Sequence, residues 1–285
     1  MRLVEPEHFE HQPKSGHKKK MLAVLFVVLL LLSVTLFVLT RQKPAAEVPE
    51  ASSQPQQEQT EQEVLVDDGI DTLRIFTDNE FKVFYDNLLQ PNLERVTNPP
   101  SISGDVVADA RIRKIAENRG YRLRNSPSVA LSSVDGYPVQ EAVVGPWRKL
   151  KAAAAAEGLQ ISIVSAYRSV DTQRGLFLSR LSAAGATITQ VAAGTADDRV
   201  NEVLITSSIP GYSKHHTGYT IDIQCAGYAF EGFKDSPCNS WISADNYKVA
   251  KENGFIPSYP PLADAQGPDP EAWEYVWVGT DLLYE

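Results

Sequence analysis

The sequence is poor in cysteine. Its 285 residues include only two, Cys225 and Cys238, and no C-x-x-C spacing occurs, which excludes a four-cysteine zinc site. An isolated pair in a domain outside the cytoplasm predicts one disulfide between Cys225 and Cys238. Two reduced thiols are the alternative reading of the same pair.

The chain also lacks an excess of positive charge. It has 27 Lys and Arg against 36 Asp and Glu, a formal net charge of -9. Nucleic-acid binding depends largely on the neutralisation of phosphates, so an acidic chain without a basic stripe indicates no nucleic-acid partner. The hydrophobic share of 43% and the charged share of 22% exclude a chain disordered throughout and a membrane protein with many spans.

Long apolar runs are absent except at residues 21–40, which carry no charge. This length crosses about 30 Å of hydrocarbon. The run is longer than the apolar core of a signal peptide and no small-residue cleavage site closes it, so we predict an uncleaved transmembrane anchor rather than a cleaved leader. Three lysines precede the run and two basic residues follow it, which favours a cytoplasmic N-terminus. We therefore expect a single-pass cell-membrane protein with a cytoplasmic tail at 1–20 and an extracytoplasmic C-terminal part.

Composition divides the remainder of the chain. Residues 41–63 are rich in Gln, Glu, Pro and Ser and contain no aromatic residue, which predicts a flexible spacer because such a segment cannot bury enough apolar surface. Residues 64–138 are expected to form a helical extension packed on the core domain, which spans 139–285. The extension opens with a capped helix, where Thr77 precedes Glu80 by three residues.

Helical and strand patterns alternate irregularly. This mixture, without repeated βαβ units, predicts an α+β fold with a small antiparallel sheet flanked by helices. The apolar periodicities and the terminating glycines predict helices at 105–119, 139–157, 170–184, 188–193, 197–207 and 244–253, and strands at 159–167, 219–224 and 274–279.

Polar residues collect in the stretch 213–222. His215 and Asp222 are separated by six residues, and a turn at Gly218 would bring the imidazole and the carboxylate onto one cation. Zinc accepts both ligand types. A surface histidine and a capping aspartate are the alternative interpretation of this stretch when it is taken alone.

Two further polar stretches border strands. Glu271 and Glu274 stand three apart, so a bend is needed if both are to serve one site, and Pro270 makes irregular backbone plausible there. Two exposed carboxylates on an edge strand are the alternative. In the second stretch, Arg168 ends one strand and Gln173 begins the next helix, and together they could grip a carboxylate or a carbonyl oxygen.

The order of these motifs resembles a known family. Y-R-S-x-x-x-Q, then S-x-H-x-x-G-x-x-x-D, then E-x-W, then V-G is similar to the zinc D-alanyl-D-alanine carboxypeptidases of the vancomycin-resistance type, which share a fold with bacterial cell-wall endopeptidases and the hedgehog signalling domain. The resemblance covers residues 139–279.

The resemblance implies a role for each matching residue. His215 and Asp222 would be metal ligands, and Glu271 would be the general base that activates water and passes the proton to the leaving amine. Arg168 would stabilise the oxyanion or clamp the substrate carboxylate. The resemblance also implies that three more residues hold the peptide or support the site: Gln173, Ser213 and Trp273.

One position departs from the family pattern. The third metal ligand of the family is a histidine that follows E-x-W, and here that position is Glu274. No other histidine can substitute, because His216 directly follows His215 and the remaining three precede the apolar run. Glu274 is a permissible zinc ligand, although an oxygen-rich set also suits manganese or iron.

We therefore expect a membrane-anchored, zinc- or manganese-dependent carboxypeptidase that removes the terminal D-alanine of peptidoglycan stem peptides. A catalytically silent module that binds wall peptides on the same fold is the alternative.

Overall fold

The computed structural model describes residues 72–285. The predicted tail, anchor and spacer at 1–63 lie outside the described residues. Within 72–285 no helix is both long enough and apolar enough to cross a membrane.

Four antiparallel strands form the central sheet. They are β5 (Ile161–Ser165), β6 (Thr220–Cys225), β8 (Glu274–Trp277) and β7 (Phe255–Pro257), in the order β5-β6-β8-β7. Two short antiparallel pairs precede the sheet: β1 (Leu93–Glu94) with β2 (Ser126–Pro127), and β3 (Ser132–Val134) with β4 (Tyr137–Val139). The predicted α+β class with a small antiparallel sheet is confirmed.

Residues 72–285 contain seven α-helices. They are α1 (Asp78–Asn87), α2 (Val106–Asn118), α3 (Glu141–Ala156), α4 (Val170–Ala183), α5 (Ile188–Ala193), α6 (Asp197–Leu204) and α7 (Pro237–Glu252). Short 3₁₀ helices span Lys214–Thr217 and Phe230–Asp235.

The two faces of β6 have different surroundings. Ile221, Ile223 and Cys225 belong to the main hydrophobic core, to which α3 contributes Trp147 and Leu150. Because side chains alternate along a strand, Asp222 points to the opposite face. A second apolar cluster, built mainly from α2, α4, α5 and α6, forms separately from the main core. Asp222 therefore projects from the face of β6 opposite to that of Ile221 and Ile223.

Residues 72–138 pack into both apolar clusters. Phe76, Phe81 and Tyr85 join the main core, whereas Ile112 of α2 joins the second cluster. The predicted capping box is present at Thr77, whose side chain accepts the N–H of Glu80. The described part of this segment is therefore continuous with the domain core.

Helix α7 is kinked, and the helix predicted at 244–253 corresponds only to its second segment. The first segment, which the sequence did not predict, starts at Pro237, because Ser236 caps it and proline suits the first helical turn. The backbone of α7 departs from helical angles at Ala244–Tyr247, where the side chain of Asn246 bonds both the N–H and the carbonyl of Phe76. That exchange of hydrogen bonds ties the segment before α1 to the core.

The structure contains the predicted disulfide between Cys225 and Cys238. It joins the end of β6 to the first turn of α7. The segment between the two cysteines includes Phe230, whose ring centroid lies 4.8 Å from that of Trp273. The disulfide therefore restrains a segment that packs beside the polar face of the sheet.

Replacing both cysteines by alanine is expected to lower the free energy of unfolding by about 3 kcal/mol, because a bridge closing a loop of about 15 residues restricts the unfolded chain by that amount. Urea unfolding of the variant and the parent in oxidising buffer measures the difference. Adding a reductant to the parent should reproduce the variant's midpoint, and equal midpoints before reduction would contradict the prediction.

Candidate metal centre and active site

His215 is held by a tight turn beside the sheet. It lies in the 3₁₀ helix Lys214–Thr217, which Gly218 ends with a left-handed φ of 76°. The His215 Nδ1 atom lies 2.6 Å from the carbonyl oxygen of Ala166, so Nδ1–H donates to that carbonyl. The other ring nitrogen, Nε2, is thereby left to face the site, as in many metal-binding histidines.

Two carboxylates flank His215 because of the sheet register. Asp222 on β6 pairs with Glu274 on β8, and residues opposite each other on antiparallel strands carry their side chains on the same face. The His215 Nε2 atom lies 3.3 Å from Asp222 Oδ2 and 3.3 Å from Glu274 Oε2. All three side chains are buried.

The field of the two carboxylates holds a positive charge on His215. Burial by itself would lower the pKa of His215, but the charges and hydrogen bonds of Asp222 and Glu274 outweigh it and raise the pKa to about 10. Burial likewise works to raise the pKa of Glu274, and the contact with His215 brings it down to about 2. The centre of the site therefore favours a positive charge.

These three side chains fit a divalent cation. One ligand atom from each of His215, Asp222 and Glu274 lies within 4.8 Å of the others. Ligand atoms about 2.1 Å from a tetrahedral zinc stand about 3.4 Å apart, close to the observed 3.3 Å separations. Asp222 Oδ1 is buried and has no hydrogen-bond partner within residues 72–285. One imidazole and two carboxylates, with an unused carboxylate oxygen among them, form a donor set that zinc or manganese accepts.

Glu271 lies on the bend that the sequence required. The N–H of Glu274 donates to the carbonyl of Glu271 at 3.2 Å, so the chain turns between the two carboxylates before β8 begins. Burial raises the pKa of Glu271 well above its usual range, and the negative charges of Glu274 and Asp222 raise it further. A carboxyl with such a pKa has the proton affinity that suits a general base.

Arg168 is fixed by two neighbours. Its Nη1 donates to Gln173 Oε1 at 2.9 Å and its Nη2 donates to Ser165 Oγ at 3.0 Å. Ser165 is paired with Asp222 in the sheet, so the arginine is held next to the carboxylates. Gln173 is fully buried, and its amide nitrogen donates to the carbonyl of Ser208. Gln173 therefore contacts Arg168 and the backbone and does not line the cavity.

A cavity of about 310 Å³ brings the remaining predicted residues together. Ser213 and Trp273 line it, as do Arg168 and Glu271. Its wall also includes residues that the motifs did not indicate, among them Tyr121, Arg180, Ser207, Phe230 and Tyr259. The cavity opens over the His215, Asp222 and Glu274 cluster, so a ligand within it would contact these side chains.

Sequence reasoning missed three residues around the site. Ser258 Oγ donates to Glu274 Oε1 at 2.5 Å, and Lys214, which is buried, donates from Nζ to the carbonyl of Ser258. Lys214 and His216 stand within the 213–222 stretch, but nothing in its spacing indicated their contacts. Ser258 is distant in sequence and carries no motif, so only the pairing of β7 with β8 brings it to Glu274.

His216 supports the site as a neutral imidazole. Its Nδ1 lies 2.6 Å from the carbonyl of Arg168, and its Nε2 accepts the N–H of Gly211 at 3.0 Å. The first contact requires a proton on Nδ1, and the second requires an unprotonated Nε2. Burial lowers the pKa of His216 to about 4, outweighing the backbone bond to Arg168, which raises it.

A comparison with protein families assigns the chain. The VanY family of D-alanyl-D-alanine carboxypeptidases matches residues 137–280, half of the chain. The chain belongs to this family. The match includes all the site residues that the sequence predicts, from Arg168 to Glu274.

Two curated relatives resemble this VanY-family chain. YodJ of Bacillus subtilis (strain 168), which is named as a carboxypeptidase, is 30% identical over 131 residues, 45% of this chain and 41% of the relative. A D-alanyl-D-alanine carboxypeptidase of Enterococcus faecalis (strain ATCC 700802 / V583) is 28% identical over 133 residues, 45% of this chain and 44% of the relative. The chain thus matches less than half the length of each.

Solved structures also resemble the VanY-family domain. A mutant vancomycin-resistance D,D-pentapeptidase, VanY of a VanB-type cassette in complex with Zn(II), has a TM-score of 0.41 and 24% sequence identity, over 54% of this chain and 80% of that one.

His216 is expected to make the VanY-family domain less stable in acid. In the unfolded chain His216 takes up a proton near pH 6.5, whereas in the folded protein its pKa is about 4. Between these pH values the unfolded state therefore binds more protons. The free energy of unfolding should therefore fall by about 2 kcal/mol from pH 7 to pH 5 through this residue. Urea unfolding at both pH values, with EDTA present, measures the loss.

The variant His216→Asn is the control, because its amide can donate to the carbonyl of Arg168 as Nδ1 does, and it does not titrate. It should lose about 2 kcal/mol less than the parent between the two pH values. An equal loss in both proteins would show that His216 is not the group responsible.

Proposed function

We propose that the protein is a metal-dependent carboxypeptidase that hydrolyses the terminal D-alanine peptide bond of peptidoglycan stem peptides. The observation that carries the proposal is the convergence of His215, Asp222 and Glu274, with Glu271 and Arg168 in the same cavity. Membership of the VanY family supports the reaction and the substrate class.

His215, Asp222 and Glu274 would hold the cation. A divalent cation bound there would supply Lewis-acid polarisation of the scissile carbonyl and a lowered pKa for the attacking water. With Glu274 in place of a neutral histidine, the set carries one more negative charge than His/Asp/His. That extra charge weakens the polarisation and extends the acceptable cations from zinc to harder ions such as manganese.

Glu271 moves the proton. Its carboxylate takes a proton from the attacking water as the water oxygen bonds to the carbonyl carbon. The same proton then passes to the nitrogen of the departing D-alanine as the C–N bond breaks. Burial, together with the negative charges of Glu274 and Asp222, raises the pKa of Glu271, which increases its affinity for that proton.

Arg168 supplies a fixed positive charge in the cavity wall. Ser165 and Gln173 occupy one N–H on each of its two terminal nitrogens, which leaves the remaining N–H groups for substrate. The guanidinium would stabilise the developing oxyanion or bind the terminal carboxylate of the peptide. Gln173 acts here as a positioning residue.

Ser213 and Trp273 would complete the binding surface. Ser213 presents a hydroxyl in the cavity wall next to His215, and Trp273 forms an apolar wall packed against Phe230. A peptide with a methyl side chain and polar backbone suits this mixture of an aromatic wall and hydroxyl groups.

We also propose that residues 21–40 anchor the protein in the cell membrane with the catalytic domain outside. The support is the uncharged apolar run with its basic flanks and the Cys225–Cys238 disulfide, which is typical of an oxidising compartment. The spacer at 41–63 would then let the domain reach wall peptides close to the membrane.

The variant Glu271→Gln is expected to release D-alanine from a pentapeptide ending in D-Ala-D-Ala at least about 100-fold more slowly than the parent, because general-base catalysis contributes 10²–10⁴-fold. Its zinc affinity should stay within about threefold of the parent's, since Glu271 is outside the ligand set. D-alanine release with zinc or manganese, and zinc titration, measure the two quantities.

Glu202→Gln is the matched control, because Glu202 is an exposed carboxylate paired with Arg199. It should release D-alanine at the parent rate. Stoichiometric peptide binding without turnover by the parent under either metal would contradict the enzyme proposal and support a wall-peptide binding module.

A further inference from the structure

The two oxygens of the Glu274 carboxylate have different partners. Oε2 lies 3.3 Å from His215 Nε2 and faces the cation site. Oε1 accepts a hydrogen bond from Ser258 Oγ at 2.5 Å. One oxygen is therefore directed at the site while the other is occupied by a hydroxyl.

Ser258 is itself rigidly placed. It directly follows β7, and its backbone N–H donates to the carbonyl of Glu274 at 2.9 Å. Its hydroxyl donates to the side chain of the same residue, so Ser258 is hydrogen-bonded to Glu274 through both its backbone and its side chain. Ser258 is only 3% exposed, which leaves little room for water to replace its hydroxyl.

Lys214 holds the backbone of Ser258 in place. Its Nζ donates to the carbonyl of Ser258 and lies 3.7 Å from the ring centroid of Tyr259 and 4.8 Å from that of Tyr85. The side-chain nitrogen of Lys214 is therefore packed between two aromatic rings. Tyr85 comes from α1, so the segment before the core domain contributes to this support.

Lys214 and His215 are consecutive in one 3₁₀ helix. His215 contacts one oxygen of Glu274 directly, and Lys214 reaches the other oxygen through Ser258. The 3₁₀ turn therefore contacts one carboxylate oxygen of Glu274 through His215 and reaches the other through Lys214 and Ser258. This arrangement suits glutamate in particular, because a carboxylate ligand has a second oxygen that needs a donor when it is buried.

We propose that two positioning residues, Ser258 and Lys214, make Glu274 present a single oxygen to the cation. They are called the Ser258–Lys214 pair below. The inference rests on the cation centre of the proposed function. A carboxylate that binds through one oxygen leaves coordination positions for water and for the substrate carbonyl, whereas two-oxygen binding would occupy one of them.

The test measures the affinity of the full chain in detergent for zinc, by competition with a chromophoric chelator. Ser258→Ala is expected to weaken zinc binding about 10- to 100-fold, the usual cost of losing a group that orients a metal ligand. Ser258→Thr keeps the hydroxyl and should stay within about threefold of the parent. Lys214→Met should weaken binding less than Ser258→Ala, because Lys214 acts through Ser258.

A double-mutant cycle separates positioning from general stability. In a Glu274→Ala background the hydroxyl has no carboxylate to orient, so adding Ser258→Ala should change zinc affinity less than twofold. A merely structural serine would weaken binding equally in both backgrounds, and that result would overturn the proposal. Melting curves check folding, and Ser258→Cys, with a weaker donor of similar size, replaces Ser258→Ala if the latter unfolds.

The outcomes distinguish the two proposals. If the parent binds no zinc or manganese, the proposed function fails. If the parent binds zinc and releases D-alanine while folded Ser258→Ala binds zinc within twofold of the parent, the Ser258–Lys214 pair is not a positioning device and the function stands.

Discussion

The placement of two carboxylates side by side on neighbouring strands is the constraint on which the site depends. Asp222 and Glu274 are directly paired across β6 and β8, and both are buried. Like charges opposite each other destabilise a sheet, and burial increases their cost. The pair is tolerable only with positive charge between them. His215 supplies it as a protonated imidazole, and a cation that binds there would displace that proton.

The two faces of β6 carry different kinds of side chain. Alternation along β6 directs Ile221 and Ile223 into the main core and Asp222 to the other face, so the strand that anchors the fold also carries a ligand. The same register places Ser165 beside Asp222, and Ser165 in turn holds Arg168. Core packing therefore sets the distances among the charged groups, because a shift by one residue would exchange the two faces.

Much of the site follows from local sequence, and the remainder depends on tertiary pairing. The spacing of His215 and Asp222 about Gly218 indicated their convergence, and Pro270 indicated the bend at Glu271. The contact of Ser258 with Glu274 arises from β7, a strand of three residues too short for a periodic signal. The sequence also did not predict that the side chain of Gln173 bonds Arg168 and the backbone. A polar residue near a strand end gives the same sequence pattern whether it lines a cavity or supports a neighbouring side chain. The start of α7 was missed although Ser236 and Pro237 form a recognisable cap.

X-ray diffraction at the zinc absorption edge, from crystals of the zinc-loaded protein, tests the central claim most directly. We predict one strong anomalous peak per chain within bonding distance, about 2.0–2.2 Å, of His215 Nε2, Asp222 and a single oxygen of Glu274. A map with no peak among these side chains, or with zinc bound at another place in the chain, would contradict the account.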